Sequence, residues 1–376
     1  VARTMGKLDI IVYGATGFTG SLVAAYLSKT PGLRWAVAGR SRAKLETLAA
    51  SLAGAPAPPQ ETVVASPSDA PADAETLASA ARVVLSTAGP FSLYSDAVVA
   101  ACARAGAHYV DIDGEVPWVR RIIDRDHAAA ADSGAVIVPN CGFDSVPSDL
   151  GVLLATRKAG PGAALQGHAT MKGAMSGGTI ATGILMAKNF PGDVANACLL
   201  GGDPAVVNGD VVAAVAPSAA RPYWLAPFGM APINTRVVRR SGELLGYGAG
   251  FSYDEYAVAP SEAAASKMAK NAAVPPDALQ KLVDRGRLFA PGAGPDAATR
   301  AASSFRLDVV DAATNDLLAS VSGGDPGYDE TAKMVSEAAL ALADGTPPPC
   351  AGGGVWTPAA ALGTVLVDRL RAAGMG

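Results

Sequence analysis

Several functional classes need residues that this sequence of 376 has in short supply. Histidine occurs three times and cysteine four times, and Cys102, Cys141, Cys198 and Cys350 lie far apart with no C-x-x-C spacing. Such a set suggests neither a disulfide framework nor a zinc site, and no metal is expected. There is no excess of positive charge. Lys and Arg number 30 against 34 Asp and Glu, the formal net charge is −4, and the basic residues are scattered. That leaves no electrostatic footprint for a nucleic-acid backbone, so no nucleic-acid partner is expected. Long apolar runs are missing too. Glycine or charge breaks each one well short of the roughly 18 residues a membrane span requires, and the N-terminus lacks a signal-peptide arrangement. The expected compartment is the cytoplasm. No internal repeat is present.

What is there is a hydrophobic content of 50%, enough for a sizeable core, and a length suited to two domains. Segments of strand and helix character alternate in the first half: 8–13 strand, 19–29 helix, 34–38 strand, 41–53 helix, 82–87 strand, 93–105 helix, 108–112 strand, 117–132 helix and 135–139 strand. Alternation of this kind predicts an α/β fold, a doubly wound parallel sheet of Rossmann type. The linker-like APAPPQ (55–60) and the Ala-, Ser- and Asp-rich 65–81 read as a surface excursion inside it. Past about residue 148, Gly/Ala-rich runs, Thr/Val strands such as 235–239 and 305–310, and Pro-containing connections predict a second, α+β domain. Helices at 329–343 and 358–373 are expected to return to the first domain, giving domains of 1–148, 149–328 and 329–376.

The first strand runs into Gly14, Gly17 and Gly20, and a helix-compatible pattern follows. In a dinucleotide fold the first glycine permits a tight turn, the second lets pyrophosphate approach the backbone, and the third lets helix pack on strand; the helix N-terminus then meets the anion. The spacing here is G-x-x-G-x-x-G, and an ordinary strand-to-helix turn is the bland alternative. The end of the second strand indicates which dinucleotide. AVAGRSRAKLE (36–46) places Arg40, Ser41 and Arg42 where an NAD-binding chain would carry an acid. A guanidinium fork and a hydroxyl suit a 2′-phosphate, so NADP(H) is the expected cofactor. No tyrosine has a lysine four residues on, which argues against ordinary short-chain dehydrogenase chemistry.

YGATGFTG (13–20), AGRS (38–41), STAGPFSLYSDAVVAACARAGAHYVDIDGE (86–115), CGFDSVPSDLG (141–151), SGGT (176–179), MAPINTRVVRRS (230–241), GDPGYDETAKM (324–334) and GGVWTPAAALG (353–363) stand in order along nearly the whole chain. Together they resemble the saccharopine dehydrogenase-like oxidoreductases, and within them the trans-acting enoyl reductases of lipid synthesis. The resemblance implies a nicotinamide-binding Rossmann domain, a saccharopine reductase-like α+β domain that carries substrate and dimer contacts, and a cleft between the two. It assigns the cofactor to Gly14, Thr16, Gly17, Phe18, Thr19, Gly20, Arg40, Ser41, Arg42, Thr87, Ala88, Gly89, Pro90, Cys141, Gly142 and Phe143.

Catalytic groups are sought where strands end, in DIDGE (111–115) and NCGFDS (140–145). Reducing an enoyl ester or thioester requires hydrogen-bond donors for an enolate oxygen and an acid for the α carbon. Tyr94 and Ser145 are candidate donors, and Asp113, Glu115 and Asp144 are the carboxylates that an imine acceptor would favour. Each of these carboxylates is equally suited to capping a turn, and Cys141 reads as packing rather than as a nucleophile. The second domain helps to choose the acceptor. A polycarboxylate substrate needs an Arg/Lys clamp, yet between 145 and 235 the basic residues are Arg157, Lys158, Lys172, Lys188 and Arg221. SGGTIATGILMAKNF (176–190) offers instead an apolar face of Ile180, Ile184, Leu185 and Met186, as fits a greasy substrate or a core helix. Arg236, Arg239 and Arg240 read as a solvated strand edge or partner contact, with a phosphate or carrier as the sharper alternative. The expected activity is NADP(H)-dependent reduction of a C=C bond in an apolar, lipid or polyketide-like acyl substrate, free or carrier-bound. Imine reduction and a non-catalytic NADPH-binding role at a lipid surface stay open as alternatives, as do peripheral membrane contact and a homodimer.

Overall fold

The computed structural model describes residues 7–173, 177–207, 216–218, 221–272, 274–290, 292–345 and 352–376; Ser176 and Cys350 lie outside them. The chain opens with β1 (Leu8–Tyr13), α1 (Phe18–Leu27), β2 (Trp35–Gly39), α2 (Arg42–Ser51), β3 (Glu61–Val64), α3 (Ala72–Ala80), β4 (Ala81–Ser86), α4 (Phe91–Tyr94), α5 (Asp96–Ala105), β5 (His108–Asp111), α6 (Val116–Ser133) and β6 (Val136–Val138). There follow α7 (Val146–Ala159), β7 (Ala164–Lys172), α8 (Gly177–Asn189), α9 (Pro191–Ala195), β8 (Ala216–Pro217), β9 (Trp224–Pro227), α10 (Ala231–Leu245), β10 (Ser252–Ala259), α11 (Glu262–Ala272), α12 (Pro276–Asp284), α13 (Ala297–Ala301), β11 (Ser304–Asp311) and β12 (Leu317–Gly323). The last elements are α14 (Asp329–Ala343), β13 (Gly354–Val355) and α15 (Pro358–Ala372).

Two compact units result. One contains Val1–Asp113, Trp118–Phe143 and Tyr328–Ala373; the other contains Gly114–Pro117, Asp144–Gly327 and Gly374–Gly376. The first is built on a seven-stranded sheet of order β13-β6-β5-β4-β1-β2-β3 whose pairings are all parallel. All six residues of β1 are buried, as a strand covered by helices on both faces requires. Each fully buried large apolar side chain contributes roughly 1.5–3 kcal/mol. Strand order reverses at β1, between β2 and β4, and ligands of such sheets bind beyond the carboxyl ends of the strands at that switch point. Returning from the C-terminal end of the chain, α14 packs on α1, β1, β4 and β5, while α15 packs on α14 and β6.

The surface excursion expected at 65–81 is corrected: it contains α3, and β3 just before it pairs with β2 to extend the sheet. Short, half-exposed strands such as ETVV carry no periodicity to read, and pairing with β2 supplies what local propensity does not.

The second unit has a six-stranded mixed sheet of order β12-β11-β7-β10-β9-β8 in which β7 and β10 are parallel. Helices α7, α10 and α11 pack on it. The strand expected at 235–239 is instead the middle of α10, which has proline in its first turn and ends at Gly246 in the left-handed conformation (φ 65°). The β-branched Thr235, Val237 and Val238 look like a strand, but every residue from Asn234 to Gly242 is buried in α10, charged side chains included.

The same burial corrects the reading of its arginines as a solvated edge. Arg236, Arg239 and Arg240 are 1%, 2% and 8% exposed. Arg236 donates to the carbonyls of Val194, Asn196 and Pro232, Arg239 to those of Ala197 and Tyr253, and Arg240 to that of Leu200. Buried guanidinia need such acceptors, and the 194–200 segment is thereby strapped to α10. Among the described residues no helix is long and apolar enough to cross a membrane.

Candidate functional site

Glycine makes the first corner of the site. Gly14 has φ +82°, and a Cβ there would lie 2.9 Å from the Ala88 amide nitrogen. At Gly20 a Cβ would lie 2.3 Å from the Gly14 oxygen and 2.9 Å from the Ala15 Cα, so α1 is allowed to press against the end of β1 only because no side chain intervenes. Protein packing therefore accounts for both. It does not account for Gly17, which has φ −73°, is exposed, and would place a Cβ within reach of a single atom, the Gly14 oxygen at 3.3 Å. Gly17 is also the N-cap of α1, and no side chain caps that helix. An open approach to uncapped helical N–H groups is what a pyrophosphate requires. Thr16, Phe18 and Thr19 surround this turn, half-buried.

Arg40 and Arg42 are exposed at the end of β2, and neither has a carboxylate partner among the described residues. Ser41 is the N-cap of α2 without a capping hydrogen bond from its hydroxyl. Two free guanidinia and an unused hydroxyl at a helix N-terminus fit a 2′-phosphate. The Arg40 guanidinium carbon lies 5.5 Å from the centre of the Tyr94 ring. Tyr94, expected to be a donor to substrate, thus faces Arg40, for which its ring supplies a cation–π platform. Tyr13 stands nearby; burial pushes its phenol up to about 12 while the Arg40 charge opposes the shift. Arg40→Ala is expected to weaken NADPH binding by about 10–100-fold and NADH binding by far less. Fluorescence titration with both dinucleotides checks this, and equal weakening would remove Arg40 from the 2′-phosphate site.

The turn after β4 approaches the same corner. The Thr87 amide donates to the Tyr13 carbonyl at 2.9 Å and the Thr87 hydroxyl to that of Gly14 at 3.2 Å, while the Ala88 amide donates to the Ser86 hydroxyl at 3.2 Å. The Gly89–Pro90 peptide is cis. Beyond β6, Cys141 is fully buried, with its amide on the Asp111 carbonyl at 2.7 Å and its thiol on the Val138 carbonyl at 3.3 Å, so it serves packing. A Cβ on Gly142 would press on Thr331 and Ile112, and the Phe143 amide donates to the Thr331 hydroxyl at 3.1 Å. Thr331, and Tyr328, whose ring meets Phe18 edge-on at 4.7 Å, are neighbours that the sequence reading missed. They come from the chain's far end, so spacing gave no signal for them.

Asp113, expected to be catalytic, joins two turns. It is fully buried; its amide donates to Asp111 Oδ1 at 3.0 Å, and Asn140 Nδ2 donates to its carbonyl at 2.7 Å and to its carboxylate at 3.3 Å. The Asn140 amide also reaches Asp111 Oδ1 at 3.1 Å, so these side chains tie the turn after β5 to the one after β6.

Asp144 and Ser145, which follow Phe143 directly, belong to the second unit and open α7. Asp144 keeps some accessible surface yet lies deep in protein, and burial, followed by the charge of Glu255, pushes its carboxyl up to about 7. A carboxyl poised near neutral pH can hold a proton and release it. Ser145 is the N-cap of α7 but makes no capping bond, and its hydroxyl is buried without a hydrogen-bond partner. A buried hydroxyl left without a partner is costly, and it stands open to a hydrogen bond from outside the chain. A Cβ on Gly114 would meet Ile233 Cδ1 at 3.1 Å and, at 3.7 Å each, Asp144 Oδ2 and Thr182. Ile180, Ile184 and Met186 on α8 are buried in the fold, so this apolar face is spent largely on packing. Among the described residues no group of three or more His, Cys, Asp or Glu side chains could hold a metal ion.

The family described as saccharopine dehydrogenase NADP binding domain matches residues 10–138. A Mycobacterium tuberculosis (strain ATCC 25618 / H37Rv) protein, provisionally named a trans-acting enoyl reductase, is 36% identical over 100% of this chain and 98% of its own length. The trans-acting enoyl reductase of Mycobacterium ulcerans (strain Agy99) is 33% identical over 98% of this chain and 97% of its own. Among solved structures, apo saccharopine dehydrogenase (L-Glu forming) from Saccharomyces cerevisiae shares the fold, with a TM-score of 0.53 at 12% identity over 96% of each chain. The chain is an NADP(H)-dependent oxidoreductase and belongs to the trans-acting enoyl reductases of the saccharopine dehydrogenase-like family.

Proposed function

We propose that this oxidoreductase reduces the C=C bond of an apolar α,β-unsaturated acyl ester or thioester, with Asp144 as the proton donor. The observation that carries the reading is the pair at the start of α7: a carboxyl raised to about 7 beside a buried, unpartnered hydroxyl. Bound NADPH supplies a hydride to the β carbon. Ser145 donates a hydrogen bond to the acyl oxygen as negative charge gathers there, and Asp144 places its proton on the α carbon. In that step the Asp144 O–H bond breaks as the C–H bond forms, and the carboxylate keeps the O–H electron pair. On the cofactor side, the α1 N-terminus and Gly17 receive the pyrophosphate, and Arg40, Ser41 and Arg42 hold the 2′-phosphate.

The choice of an uncharged acyl group over a polycarboxylate imine is supported by where the basic side chains go. Lys158 is bound to the Leu318 carbonyl, Lys188 to Asp277 and Arg221 to Asp308, and the three arginines of α10 are taken up by carbonyls. The names of the relatives support the same choice. The test is NADPH absorbance in the presence of a long-chain enoyl thioester, a cyclic imine, or no acceptor. Consumption with the enoyl compound alone is expected; consumption with the imine alone would overturn the assignment.

A further inference from the structure

The second unit buries another acid that the proposed reaction leaves unused. Glu255 on β10 is 1% exposed, on the sheet face shared with Tyr253 and Ala257, which is fully or almost fully buried. Three neutral groups donate to it: Ser148 to Oε1 at 2.5 Å, the Tyr253 hydroxyl to the same oxygen at 2.9 Å, and Asn234 Nδ2 to Oε2 at 2.8 Å. Donors of this kind favour the ionised carboxylate. Burial and the Glu255 charge push the Tyr253 phenol far up, so it stays protonated and remains a donor.

The anchors sit on the elements that frame Asp144. Ser148 stands in the first turn of α7, the helix that begins two residues after Asp144, and Asn234 adjoins Ile233 of α10, which with Asp144 is among the atoms a Cβ on Gly114 would meet. Gly114, Thr182 of α8 and Ile233 bring no charge to the donor. Glu255 is the charge that acts on it; the unit's other buried acids on neighbouring elements are Glu115, one residue from Gly114, and Asp149 on α7, which accepts from the Ser241 hydroxyl.

We propose that Glu255 is a positioning residue for the proton donor: gripped by Ser148, Tyr253 and Asn234, it holds a fixed buried negative charge that keeps the proton on Asp144 until substrate takes it. The inference rests on the reading of Asp144 as the donor. It extends that reading by giving a use to a buried carboxylate, since an unused charge there would be a liability.

Glu255→Gln is nearly isosteric. It removes the charge while leaving an acceptor for Ser148 and Tyr253. The Asn234 amide, whose Oδ1 is buried without a partner, turns over to accept from the new Nε2–H. The experiment follows the side-chain carboxyl ¹³C shift of Asp144 against pH in the full-length protein, with the signal assigned by its loss in Asp144→Asn. In Glu255→Gln the midpoint should fall by about one pH unit, and the decline of NADPH-dependent turnover at high pH should move with it. Glu255→Asp, which retains the charge, should bring both back toward wild type.

An unchanged Asp144 midpoint in folded Glu255→Gln overturns the inference. The Glu255 signal of the wild-type protein provides a check free of any variant. It must report an ionised carboxylate below the Asp144 midpoint, and protonation of Glu255 in that range overturns the inference too. Failure of the underlying reading looks different: Asp144→Asn would then turn over at the wild-type rate whatever Glu255 does.

Discussion

Gly17→Val is expected to cripple NADPH binding in a protein that still folds, whereas Gly20→Ala is expected to damage the fold itself. Both residues belong to one motif, but the space around them differs. The Cβ positions at Gly20 and Gly17 fall 2.3 Å and 3.3 Å from the same Gly14 oxygen, and at Gly20 the backbone of Ala15 and the Thr87 hydroxyl also stand within 3 Å. An added methyl at 20 cannot be absorbed by turning a side chain, so α1 must move off β1. Overpacking of this kind costs about 1–3 kcal/mol, or some 2–4 °C in Tm for each kcal/mol in a protein of this size. At 17 a side chain meets one protein atom, the Gly14 oxygen at 3.3 Å, and otherwise projects into open space, so thermal unfolding should stay within about 2 °C of wild type. The loss appears instead as at least about a 100-fold fall in NADPH affinity, since the pyrophosphate can no longer approach the backbone. Calorimetric titration and thermal unfolding on the two variants separate the cases. Intact binding by Gly17→Val would place the dinucleotide elsewhere.

Asp144→Asn is expected to lower turnover by about 10²–10⁴-fold with NADPH affinity unchanged. The amide has nearly the shape of the acid but cannot deliver a proton, so binding and chemistry part company. In the wild-type protein the active form is the protonated one, so turnover should fall as pH rises through about 7. The linkage to stability has a definite sign. The folded value is raised above the ordinary 3.8, so the folded protein holds more protons than the unfolded chain between about 4 and 7, and stability contributed by this group is lost as pH rises across that range. Asp144→Asn removes that loss. Unfolding profiles at pH 5 and pH 8 should therefore lie closer together in the variant. A variant that turns over normally would exclude Asp144 as the donor.

Much of the first unit was legible because its signals are local. A strand buried on both faces has to be apolar throughout, so LDIIVY announces itself. A turn that must press a helix against a strand admits only glycine, and Arg40 with Ser41 is chemically matched to a phosphate. Those features set the sheet, the cofactor corner and the preference for NADP(H), and they need nothing from distant residues. Even so, sequence did not separate the roles of the three glycines. Gly14 is closed in by Thr87 and Ala88, some 70 residues on, and Gly20 by Thr87 as well as by Gly14 and Ala15, while Gly17 is left open.

In the second unit the balance reverses. TRVVRRS was read as a strand edge because β-branched residues and charges stand together there, but it lies in a helix whose arginines are buried by acceptors in a segment about 40 residues earlier. SYDEYAVA did alternate, and a glutamate on its inward face was the available hint of a buried acid. What that acid does could not follow from the pattern, since its three donors come from α7, β10 and α10. Asp113 and Asp144 looked alike as residues ending a strand-turn motif. Asn140 engages the first, while burial and Glu255 raise the second. Sequence by itself determined which backbone turns and charges this protein would have. The tertiary structure decided which carboxylate keeps a proton, because protonation depends on solvent excluded and charges brought close by segments that are remote in the chain.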